Sequence, residues 1–110
     1  MEKQTRGRKP LVLSPIAEGI NRRFFQAVAA LEDLGRLPSL SFFCEESGLS
    51  PSRYREARRA FGVTPSPKGS RYTSVQVEGV YYLVTRYSVS PEWLITGRGN
   101  MFSNEEKRKV

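Results

Sequence analysis

Four arginines, two serines and a glutamate fall within ten residues of this chain: Ser50, Ser52, Arg53, Arg55, Glu56, Arg58 and Arg59. If a helix begins at Pro51, a turn of 3.6 residues sorts them by face. Ser52, Arg55, Glu56 and Arg59 share one side, with Arg53 and Arg58 at its edges. Leu49, Tyr54 and Ala57 fall on the opposite side. Guanidinium groups on an exposed helix face suit polyanions: they bind phosphate, and they match the acceptor pair of guanine. The bland alternative is a solvated charged face on an ordinary helical hairpin.

The elements that would position these side chains are two short helices and a tight turn. Residues 40–47 read as the first helix and residues 51–61 as the second. Ser50 is a good N-cap, and Pro51 occupies the first helical position, where its missing N–H costs nothing. Gly62 ends the second helix. Gly48 supplies the positive φ that a sharp turn needs, and Cys44 is small where two helices would cross. The layout is that of a helix-turn-helix, whose second helix enters the DNA major groove. Ser47 departs from it, standing where an apolar residue usually closes the first helix.

Composition narrows the function classes. The 110-residue length suggests one domain, and a formal net charge of +7 favours a polyanionic partner. The chain has no histidine and one cysteine. The usual general base, the Ser-His and Cys-His dyads and an internal disulfide are therefore excluded. No P-loop or metal-ligand cluster stands out, and Glu45 and Glu46 are adjacent and point to different faces. The chain is not expected to be an enzyme, and no cofactor, metal or small-molecule substrate is implied. No apolar run approaches the ~20 residues of a membrane span. A cytoplasmic setting without membrane contact is expected.

Residues 1–13 read as a flexible basic arm. Its centre, Thr5-Arg6-Gly7-Arg8-Lys9-Pro10, resembles an AT-hook, whose core is Arg-Gly-Arg-Pro, with Lys9 inserted before the proline. Arg6 and Arg8 beside a glycine suit a narrow minor groove; a basic tail without a specific target is the alternative. Ile16, Ile20, Phe24, Val28 and Leu31 then recur at helical spacing after Ser14-Pro15, with Phe25, Ala27 and Leu34 beside them. Gly35 and Pro38 end that helix. Arg22 and Arg23 are on its polar side, solvated or touching phosphate. Residues 62–74 form a loop in which Lys68 and Arg71 either follow a phosphate backbone or face solvent.

Residues 75–88 are rich in β-formers, and Glu78-Gly79 could turn a hairpin, giving a β-wing. Val80, Leu83, Val84 and Tyr87 instead have helical spacing, and Thr73-x-x-Gln76 has the form of a capping box. The following stretch, Tyr87-Ser88-Val89-Ser90-Pro91-Glu92-Trp93-Leu94-Ile95-Thr96-Gly97, closely resembles the last helix of the lambda-repressor-like family, the Cro/CI type of regulator. The resemblance covers about residues 20–99.

It implies an all-α fold, a compact five-helix domain over residues 14–102, with 75–88 as the fourth helix and 103–110 as a disordered tail. Trp93 and Leu94 become core anchors. It also implies that the recognition helix presents Ser50, Ser52, Arg53, Arg55, Glu56 and Arg59 to double-stranded DNA, as a homodimer and a repressor of phage or mobile-element type. Arg55 would make the direct base contact, Ser52 would meet base or phosphate, and Arg59 would meet phosphate. Glu56 would hold Arg53 or Arg59 in place, or accept from cytosine N4. A protein-interaction module or antitoxin-like adaptor on the same fold, with Tyr72, Tyr81 and Tyr82 as its contact surface, is the competing expectation.

Overall fold

The computed structural model describes residues 13–63 and 74–103, and among them the chain is all-α. Its five helices are α1 (Pro15–Asp33), α2 (Leu40–Ser47), α3 (Pro51–Phe61), α4 (Val77–Tyr87) and α5 (Pro91–Thr96). Serine starts four of the five. The hydroxyls of Ser14, Ser39, Ser50 and Ser90 accept from the amides of Ala17, Phe42, Arg53 and Trp93 at 3.1, 3.0, 3.3 and 3.2 Å. Each satisfies an N–H that the helix itself leaves unpaired.

The 19-residue α1 is the spine, packing against α3 and α5, while α2 lies on α3 and touches α4. Phe24, Phe25, Phe43, Tyr54 and Phe61 fill the centre, all of them buried. The Phe24 ring lies 5.1, 5.9 and 5.8 Å from those of Phe25, Phe43 and Tyr54. Tilted and edge-on arrangements at these separations are the favourable ones for aromatic rings. Ile16 and Leu34 belong to the expected apolar stripe of α1 yet are exposed. They lie at opposite ends of a helix much longer than the elements that cover it.

Residues 77–87 are a helix despite their β-rich composition, so the β-wing does not form. Thr73 of the expected capping box lies outside the described residues, and the N-cap, Gln76, has no side-chain hydrogen bond of its own. Tertiary contacts replace it. The Val75 amide donates to Asn21 Oδ1 at 2.9 Å, and the Gln76 amide donates to the Tyr54 hydroxyl at 3.0 Å. Asn21, the buried polar side chain among the described residues, donates in turn to the Ala17 carbonyl at 2.9 Å. Gly79 is buried against Tyr54, where an added Cβ would lie 2.6 Å from the hydroxyl oxygen. The glycine that suggested a hairpin turn is instead the clearance for a tyrosine.

Beyond α4 the chain turns at Ser88, which holds a φ of 60°. Ser90 donates its amide to Met101 at 2.8 Å and Ser103 donates to Ser88 at 2.9 Å, tying 101–103 back onto the body. At the α2–α3 crossing Cys44 is fully buried, and burial pushes its thiol from 9.0 up to about 11, a rise that Arg55 partly opposes. The Tyr54 hydroxyl is raised by burial too, with the hydrogen bond from Gln76 acting against it.

Gly79→Ala is expected to lower the unfolding free energy by about 1–3 kcal/mol, the usual cost of overpacking, although alanine is the better helix former. Urea unfolding in a Tyr54→Phe background checks the cause, since the same change should cost less once the hydroxyl is gone. A second expectation concerns alkali. The unfolded chain releases the Cys44 proton near pH 9.0 and the folded chain near 11. Stability from the neutral thiol is therefore intact below pH 9 and lost as the pH rises towards 11. Urea midpoints measured across that range should fall, and should fall less in Cys44→Ala.

Candidate nucleic-acid interface

Three local features set the geometry of α2 and α3. Gly48 takes the left-handed conformation, φ 72°, and the Leu49 amide returns to the Cys44 carbonyl at 2.8 Å, turning the chain sharply. Ser50 and Pro51 then start α3. Finally, Tyr54, Ala57, Ala60 and Phe61 are buried, which rotates the opposite face of α3 outward. Ser52, Arg53, Arg55 and Arg59 are exposed and Glu56 is half-buried. Ser47, the polar residue at the end of α2, is met by Arg86 of α4, whose Nη1 lies 3.4 Å from the Ser47 hydroxyl and 3.2 Å from the Glu46 carbonyl oxygen. That guanidinium also covers the Tyr82 ring at 4.5 Å.

The outward face has an internal order. Arg55 Nη1 donates to Ser41 Oγ at 3.0 Å, across from α3 to the first turn of α2. Arg59 donates to Glu56 at 3.0 Å, and Arg58 reaches both carboxylate oxygens of Glu32 in α1 at 3.2 and 3.4 Å. Ser50 and Ser52 share a 3.3 Å hydroxyl contact. Ser50 is therefore occupied at both the cap and its neighbour. These partners hold the arginines in defined places at small cost to release, because exposed ion pairs are worth about 0–1 kcal/mol.

An open groove of about 460 Å³ lies along this face, lined by Glu32, Ser39, Leu40, Ser41, Arg55, Arg58 and Arg59. It brings together residues the sequence did not: Ser39 and Ser41 from α2 and Glu32 from the end of α1 join the α3 arginines. The signal available was the Ser39-x-Ser41 pair at a helix start; Glu32 carried none. Of the expected contact residues, Ser50, Ser52, Arg53, Arg55, Glu56 and Arg59 share the α3 surface. Arg6, Arg8, Lys68 and Arg71 lie outside the described residues, as does Tyr72.

Arg23 takes a different part from the solvated or phosphate-facing one expected. Its guanidinium donates to the carbonyls of Leu94 and Ile95 at 2.8 and 2.9 Å, closing the last turn of α5. It lies beside Gly19 and Gly97, where an added Cβ would come within 3.2 Å of its Nη1. Arg22 pairs with Glu18 at 2.7 Å on its own helix. Among the described residues no group of three His, Cys, Asp or Glu side chains could hold a metal ion, and no helix is long and apolar enough to cross a membrane.

No family model, curated protein or solved structure matches this chain.

The ordering of the arginines separates fold from interface. Arg55→Ala loses one exposed hydrogen bond and should change stability by less than about 0.5 kcal/mol. Arg23→Ala leaves two carbonyls at the end of a six-residue helix without their donor and should cost about 1–3 kcal/mol. Thermal and urea unfolding of the two variants side by side checks this ranking.

Proposed function

We propose that the chain binds double-stranded DNA sequence-specifically, as a transcriptional regulator of lambda-repressor-like type acting as a pair of copies. One observation carries the reading: the α3 face that turns outward, Ser52–Arg55–Glu56–Arg59, is the face that Tyr54 and Ala57 cannot occupy, and it stands beside a groove rimmed by three arginines. The net charge of +7 agrees with a polyanionic partner.

In this reading α3 lies in the major groove. Arg55 leaves Ser41 to hold guanine O6 and N7, freeing the Ser41 hydroxyl for a phosphate. Arg59 exchanges Glu56 for phosphate, and Ser52 contacts a base or phosphate. Arg53, at the edge of the face, adds phosphate attraction, and so would Arg6, Arg8, Lys68 and Arg71. One helix with so few base-reading side chains reads a short site, so two copies on a two-fold operator give the specificity a regulator needs. Occupying promoter DNA represses. No catalytic step or cofactor is involved, and the setting is the cytoplasm.

Selection from random duplex DNA, with a salt titration, tests the reading. Wild type should enrich a short two-fold site. Arg55→Ala/Arg59→Ala should lose affinity by roughly 100-fold, as expected for one bidentate base contact and one phosphate contact. Arg59→Ala alone should lower the slope of log K against log salt by about one. Steeply salt-dependent binding without enrichment would mark a non-specific binder. Absence of binding at low salt would overturn the proposal in favour of a protein-interaction module.

A further inference from the structure

A carboxylate from α1 stands among the cations of α3. Of the described residues that line the groove, Glu32 is the single acid, and it comes from the end of α1 rather than from α3 itself. Its two oxygens accept from Nη1 and Nη2 of Arg58 at 3.4 and 3.2 Å. Glu56, by contrast, belongs to α3 and meets Arg59 at 3.0 Å. Behind the Glu32–Arg58 pair is a second cavity, of about 330 Å³, lined by Phe25, Ala29, Asp33, Gly62 and Val63. Glu32 and Arg58 line both spaces, so the pair is the partition between them.

A carboxylate and a phosphate are rival ligands for one guanidinium. Each takes a pair of parallel N–H groups from the same fork. In the free protein Glu32 takes that pair. Arg58 is nevertheless not sealed off: its side chain is 40% exposed and lines the groove beside Arg55 and Arg59. Strong charge-assisted contacts span ~2.7–2.9 Å. Those between Arg58 and Glu32 are longer, so an incoming phosphate can contest them. The contest is the same on any base sequence, because every nucleotide presents the same phosphate. Arg55 is outside it, since its partner is the Ser41 hydroxyl.

We infer that Glu32 is an internal competitor of the DNA backbone: it holds Arg58 against phosphate and so lowers the affinity for duplex of every sequence, without choosing the sequence. The inference rests on the reading of the α3 face as the DNA-binding one. While Arg58 is on Glu32 the pair is neutral and adds little to the attraction of a polyanion. With Glu32 uncharged, Arg58 becomes one more cation for the backbone. A chain without this restraint would hold any duplex more tightly and leave it more slowly.

Fluorescence anisotropy of the full chain, on a labelled duplex of arbitrary sequence and on the site it selects, tests this across a salt titration. Glu32→Gln keeps the size of the side chain and an oxygen that accepts from Arg58, so the wild-type circular dichroism spectrum should be retained. The variant should bind both duplexes roughly tenfold tighter at ~0.1 M salt, with log K against log salt steeper by about 0.9, the increment for one further phosphate. Glu92→Gln makes the same change of net charge at an exposed position of α5 and should alter affinity by less than about twofold. Glu32→Gln/Arg58→Gln should lose the gain and return to wild-type affinity. Glu32→Gln binding no tighter than wild type, or no tighter than Glu92→Gln, overturns the inference. So does a gain that survives the loss of Arg58, or one confined to the selected site. The same proteins are then compared by the salt at which they elute from heparin, a sulfated polyanion. The expected order there, from a chain that binds no duplex, would overturn the DNA reading and leave the competition at Arg58 standing. A duplex binder without that order would keep the DNA reading and overturn the inference.

Discussion

The hydroxyl of Tyr54 is the point on which the arrangement depends. It sits at the inner side of α3, accepts the Gln76 amide at 3.0 Å and fills the space that a side chain at position 79 would need. One phenol thus packs the core against Phe24, starts α4 without a side-chain cap, and sets the rotation of α3 about its axis. A buried hydroxyl must be hydrogen-bonded, since leaving one unpaired costs about 1–3 kcal/mol. In the rotation of α3 that satisfies it, Arg53, Arg55 and Arg59 face outward.

Around this centre two helix C-termini are closed by arginines from other helices. Arg23 of α1 closes α5, and Arg86 of α4 closes α2. Helices of six and eight residues are too short to persist alone. Their terminal carbonyls, left unpaired by the helix, are partly taken up by guanidinium groups that also suit the negative end of the dipole. Two of the chain's arginines are thereby committed to the fold. The basic composition is not a uniform coat, and the cations of α3 stand apart because their partners, Ser41, Glu32 and Glu56, are half-buried side chains rather than helix-terminal carbonyls.

That difference in partner chemistry connects structure to the proposed activity. Arg55, Arg58 and Arg59 each have a place in the free protein, at Ser41, Glu32 and Glu56. Ordering them beforehand lowers the entropy lost on binding. Their partners are weak competitors in solvent, so a phosphate or a guanine can displace them. Glu32 has a further effect: it anchors Arg58 to α1 and fixes one wall of the groove between α2 and α3.

Several features were legible in the sequence because they depend on neighbours along the chain. The serine caps, the Ser-Pro helix starts, the Gly48 turn and the two faces of α3 follow from local stereochemistry and 3.6-residue periodicity. The all-α class was expected from the resemblance carried by residues 87–97, not from these local signals. The helical state of residues 77–87 was not readable from local composition, which favours strand. The contacts that decide it, from Asn21 and Tyr54, come from residues 54 and 22 positions earlier. Arg23, Arg86 and Glu32 were opaque for the same reason: an arginine reads as a solvated charge until the helix end it closes is brought beside it. Local sequence determined which segments are helices of α1, α2, α3 and α5 and which residues α3 can turn outward. Only the tertiary structure decided which cations are spent inside the fold and which remain at the surface, because a guanidinium's partner is chosen by distance in space.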